Sequence, residues 1–87
     1  MTAKKIVLRW IENQMKNRSK VFYSYDFETQ INNYGRLAHQ KVHTPSTYSR
    51  AFRTIRSSDD LARMGIKLIE IKDVKGKAKG WKIEKLS

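Results

Sequence analysis

No uncharged apolar run in this chain exceeds three residues, as in Ile6-Val7-Leu8. A hydrophobic core must therefore be assembled from apolar positions spaced along helices and strands. The same limit excludes a bilayer-spanning segment and the apolar centre of a secretory signal. Eighty-seven residues rarely build two cores, so one domain over 1–87 is expected. With 39% hydrophobic residues and nine aromatic ones, the chain is too apolar for a solvated basic tail. Cysteine is absent, which excludes a disulfide scaffold and any cysteine-built zinc site.

The spacing predicts a helix over 3–16, with Val7, Leu8, Ile11 and Met15 on one face. Ile6 and Trp10 fall beside that face and offer a candidate surface for a homodimer. Lys20-Val21-Phe22-Tyr23 is aromatic and β-branched and reads as a short strand. Ser24 or Asp26 can cap a second helix that turns Phe27, Ile31 and Tyr34 inward, ending at Gly35 as a C-cap residue. Over 36–41 loop and helical turn fit equally well. Thr44-Pro45 marks the start of a third helix, an N-cap followed by proline where its missing N–H costs nothing. Tyr48, Ala51, Phe52 and Ile55 line its inner face. Ser46, Arg50, Arg53 and Ser57 lie opposite, flanked by Thr47, Ser49, Thr54 and Arg56. It ends near Ser58, with room for one further turn before Gly65. Residues 66–72 and 81–84 then change to strand character, and two glycines over 76–80 allow a hairpin turn studded with lysine. Trp10, Tyr48, Phe52 and Trp81 are expected in the core.

Nineteen Lys and Arg against eight Asp and Glu give a net charge of +11. Self-repulsion on that scale opposes compactness and asks for an acidic partner, of which nucleic acid is the commonest. The charges are also segregated. Arg36, Lys41, Arg50, Arg53 and Arg56 fall in one segment without an acid, and Lys75, Lys77, Lys79 and Lys82 in another. Two acid-free basic segments separated by an acid-bearing stretch predict two separate contacts with a polyanion.

The order helix, short strand, helix, helix and basic-tipped hairpin resembles a winged helix-turn-helix domain, an α+β fold. The likeness is carried by Thr44-Pro45-Ser46-Thr47-Tyr48-Ser49-Arg50-Ala51-Phe52-Arg53 and by the Lys/Gly hairpin ending in Trp81-Lys82-Ile83. It spans nearly the whole chain. One departure is the joining segment 33–43, longer than the usual tight turn. The resemblance implies a DNA-binding protein, with the third helix in the major groove and the wing on the backbone or neighbouring minor groove. A transcriptional regulator or architectural factor follows, of the compact kind that suits a virus or mobile element. The expected location is the cytoplasm, on the nucleoid, or the nucleus of a eukaryotic host.

The residue types fit such a role in their own right. Arginine can pair bidentately with guanine O6 and N7, which makes Arg50 and Arg53 candidates for base edges or groove phosphates. Ser46, Thr47, Ser49 and Thr54 can approach a phosphate closely. Lys75, Lys77, Lys79 and Lys82 offer salt-sensitive backbone contacts. RNA, or docking on an acidic protein such as a polymerase, are the alternatives. His39 and His43 have a spacing that suits metal on one helical face, but no cysteine or nearby carboxylate completes a site. Residues 76–80 lack the Gly-Lys-Ser/Thr ending of a phosphate-binding loop. No nucleophile with a positioned base is evident, so neither catalysis nor a cofactor is expected.

Overall fold

A computed structural model describes residues 2–16, 20–39 and 43–86. Among these the chain is α+β, with four helices and a three-stranded antiparallel sheet. Helix α1 (Ala3–Gln14) opens on Thr2, whose hydroxyl accepts from the Lys5 N–H at 3.3 Å. Its buried face is Ala3, Ile6, Val7, Trp10 and Ile11, while Leu8 and Met15 are only partly covered. The expected face is thus rotated by about one residue. The proposed dimer surface is corrected by the same fact. Ile6 is 0% and Trp10 2% exposed, so neither can meet a second copy without unfolding.

Strand β1 (Val21–Tyr23) leads directly into α2 (Ser24–His39). Gly35 was expected to end this helix, yet the helix runs through it. Phe27, Ile31 and Gly35 form one buried i, i+4, i+8 stripe. That burial outweighs the roughly 1 kcal/mol by which glycine disfavours a helix interior relative to alanine. Extending α2 to His39 shortens the joining segment, and Lys41 and Val42 lie outside the described residues. It also separates the two histidines: His39 ends α2, whereas His43 lies beyond it and before the next helix.

Helix α3 (Pro45–Arg56) buries Tyr48, Phe52 and Ile55, as its pattern predicts. The further turn after it is a fourth helix, α4 (Asp60–Arg63), which adds Leu61 to the core and corrects the three-helix expectation. Gly65 follows at φ 74°, a backbone conformation that favours glycine.

Strands β2 (Ile66–Lys72) and β3 (Ala78–Lys85) form the hairpin, and the sheet order is β1-β3-β2. Phe22 pairs with Trp81, and Leu68 with Ile83, so these side chains and Ile66 face the helices. Val21, Tyr23, Ile69, Ile71 and Lys82 alternate onto the outer face. The turn lies earlier than the two glycines suggested. Asp73 accepts from the Lys75 and Lys77 N–H groups at 2.9 and 3.0 Å, and Gly76 takes φ 83°. Gly80 belongs to β3 instead. A β-carbon there would meet the Phe22 carbonyl oxygen at 2.6 Å and Tyr23 Cδ1 at 2.8 Å. A bulge beside it, between the Ile71–Gly80 and Lys72–Ala78 pairs, leaves Lys79 without a partner across the ladder.

Two predictions follow from this packing. Gly80→Ala should lower unfolding free energy in urea by about 1–3 kcal/mol, because the opposing atom is backbone. Lys79→Ala should stay within about 0.5 kcal/mol. The second concerns Asp60, which receives a 2.6 Å hydrogen bond from Ser58 and lies 3.0 Å from Lys4 Nζ. These partners, Ser58 first, hold its carboxyl below the usual range. A depressed carboxyl contributes stability above its unfolded pKa, roughly 4, and loses it as pH falls through the folded value. Thermal melts at pH 7 and pH 3 should therefore differ less in Asp60→Asn than in the parent.

Candidate nucleic-acid interface

Helix α3 is fixed at its start by hydroxyl chemistry. Thr44 Oγ1 accepts from the Thr47 N–H at 3.2 Å, and the Thr44 carbonyl accepts from Tyr48 N–H at 3.3 Å. The Ser46 and Thr47 hydroxyls lie 3.1 and 2.7 Å from Thr44 Oγ1. Both are therefore engaged in the cap, and each offers an outside partner only its remaining hydrogen-bonding capacity. Thr54 donates back to the Arg50 carbonyl at 3.1 Å, which leaves its oxygen free to accept.

Arg50 and Arg53 are exposed one turn apart on the outer side of α3. Neither makes an ion pair with a described residue. Together with Ser46, Ser49, Pro45 and Glu28 they line an open cleft between α2 and α3. A second cleft adjoins it, lined by Ser24, Glu28, Ser49, Arg53, Arg56 and Trp81 among others. Here α3 meets the sheet. The Arg56 guanidinium lies 4.9 Å from the centroids of both Phe52 and Trp81, a cation–π arrangement that holds its charge at the seam. Burial and then the neighbouring Arg53 charge lower its pKa from the ordinary guanidinium value, with Glu70 opposing. The guanidinium stays charged at neutral pH.

The hairpin lysines do not form one cluster. Lys75 and Lys77 flank the turn and are exposed, and Lys79 stands in the bulge. Lys82 lies on the outer face of the sheet, 3.6 Å from Glu84, away from the α3 cleft. Of the ten residues singled out in the sequence, Ser46, Thr47, Ser49, Arg50, Arg53 and Thr54 are therefore gathered on α3. The four lysines are spread along the hairpin, and Arg56 against Trp81 lies where α3 meets β3.

Two residues enter the site that spacing alone did not single out. Arg56 was only a flank of the predicted helix, and its value depends on Trp81, which is distant in sequence. Glu28 receives a 2.9 Å hydrogen bond from the Ser49 hydroxyl, placing a carboxylate inside an otherwise cationic cleft. Nothing in its sequence spacing indicates that it faces α3.

No protein-family profile matches this chain, and no curated protein or solved structure does either.

The interface rests on how α3 is held, and its cap is the part most readily tested. Thr44→Ala should cost about 1 kcal/mol of stability, read as a lowered urea midpoint. Thr44→Ser keeps the accepting oxygen and should retain most of it. Equal losses in the two variants would mean the threonine methyl, not the cap, matters.

Proposed function

We propose that this is a small, non-catalytic, winged-helix-type protein that binds double-stranded DNA. In this reading α3 enters the major groove and the β2–β3 hairpin forms the wing, with Lys75, Lys77 and Lys79 reaching the backbone or the minor groove. The observation that carries it is the outer side of α3. Two arginines one turn apart stand exposed, with no acid paired to either among the described residues, on a helix anchored by three buried side chains. An unpaired guanidinium fork has its donors free for a guanine edge or a phosphate. The element order, the sheet order β1-β3-β2 and the net charge of +11 support the same reading.

Within this proposal the residues divide by task. Arg50 and Arg53 contact base edges or groove phosphates. Ser46 and Thr47 approach the backbone around them, whereas Ser49 and Thr54 donate to a phosphate only by releasing their bonds to Glu28 and the Arg50 carbonyl. Lys75, Lys77, Lys79 and Lys82 supply charge without reading sequence. Glu28 gives the cleft a polarity that a uniformly basic surface would lack, since a carboxylate repels phosphate and accepts from cytosine N4. A protein of this kind acts by occupying or shaping its site, as a transcriptional regulator or an architectural factor.

The deciding experiment is enrichment from random duplex DNA at fixed salt, run beside Arg50→Ala/Arg53→Ala. A consensus that disappears in the double variant is the expected result. With about four to eight phosphate contacts, log affinity should fall with log salt at about −0.9 per contact. Lys75→Ala/Lys77→Ala should reduce that slope by about two while leaving the consensus intact. Binding to structured RNA in preference to duplex, or nucleic-acid affinity indifferent to the arginines, would replace this reading with an RNA-binding or protein-docking one.

A further inference from the structure

We propose that Tyr23 and Tyr25 form a platform on which an unpaired nucleobase stacks. This rests on the nucleic-acid reading above and adds a second class of ligand, single-stranded nucleotide, to it.

The two rings are nearly parallel, with centroids 5.5 Å apart and an interplanar angle of 16°. Tyr23 is held from below. It pairs across the ladder with Gly80, where its ring lies so close that a β-carbon would meet it at 2.8 Å. Tyr25 stacks on Tyr23 yet remains 83% exposed. The overlap with Tyr23 is partial and offset, and most of the Tyr25 ring is open to solvent. An open aromatic face of this kind accepts one further planar ring in offset stacking.

The surroundings favour a nucleobase over an apolar protein side chain. Ser24, between the two tyrosines, lines the cleft that also contains Ser49, Arg53 and Arg56. The start of α2 thus contributes to both the cleft and the platform. Lys79 stands in the bulge beside Gly80 and has no ion pair among the described residues. Lys82, which also pairs with Glu84 at 3.6 Å, is the diagonal neighbour of Tyr23 across the β1–β3 pair, within reach of a long side chain. A base on an aromatic ring with cations positioned for its phosphates is the way single strands are held without sequence preference. A base inside a duplex has both faces already stacked, so the platform can take only an unpaired one.

The test uses the full chain with two probes, a blunt duplex and the same duplex carrying a short overhang with 2-aminopurine. The parent should bind the overhang probe more tightly and quench its fluorescence. Tyr25→Ala should weaken that binding about 5- to 150-fold, the equivalent of losing one base stack, and restore fluorescence. Tyr25→Phe should behave as the parent, and blunt-duplex affinity should change less than about twofold in either variant. Tyr25 is exposed, so a thermal melt should show both variants folded. Equal affinity of the parent for the two probes would overturn the proposal, as would equal losses on both. Unchanged binding of both probes by Tyr25→Ala would overturn it too, and would reassign the rings to a protein partner. Arg50→Ala/Arg53→Ala separates the two readings. If it leaves blunt-duplex binding intact while the Tyr25 effect persists, the major-groove reading fails and the platform stands.

Discussion

The ring of Phe22 holds the molecule together. It lies 4.9 Å from Trp10, 5.7 Å from Phe52 and Trp81, and 6.1 Å from Phe27, centroid to centroid. Those four partners come from α1, α3, β3 and α2, so one residue of a three-residue strand touches four other elements. Edge-to-face and tilted arrangements at such distances add to the area they bury. The consequence for function is direct. Phe52 fixes the inner side of α3, and Phe52 with Trp81 carries Arg56, so the arrangement of the cations is set by the aromatic core.

The helices were largely legible because their buried positions recur at helical period. Thr44-Pro45 and Tyr48, Phe52 and Ile55 define α3 almost to the residue. Gly35 was not legible, since its low helix propensity is a local signal and its burial a tertiary one. The hairpin turn was misplaced for a related reason. Gly80 has the look of a turn residue, but it is required by the approach of β1, which sequence spacing does not reveal. The candidate site divides in the same way. Arg50 and Arg53 follow from the rotation of one helix, whereas Glu28 and Arg56 depend on contacts between elements.

The charge distribution has a structural logic. Among the described residues Lys4, Lys67 and Lys82 are paired with acids, and none of the α3 arginines is. The paired lysines lie on α1, on β2 and on the outer sheet face. Exposed pairs of this kind contribute about 0–1 kcal/mol each, too little to offset a net charge of +11. Repulsion therefore remains in the free protein, as between the neighbouring Arg53 and Arg56. An anion bound there would relieve it, coupling ligand affinity to stability.

The central strand of the sheet is also the last to be synthesised. Among the described residues β1 contacts the sheet only through β3, with Val21 opposite Lys82 and Tyr23 opposite Gly80. On the ribosome, Phe22 has no strand to pair with until 78–85 have emerged. Until then Trp10, Phe27 and Phe52 can gather around it only loosely, and closing the long loop costs entropy that local contacts do not repay. The nascent chain thus carries an incomplete aromatic cluster beside many cations while it is surrounded by ribosomal RNA. Its final packing waits on Trp81, so a chain that ends before Trp81 holds a loosely gathered cluster rather than a smaller folded core.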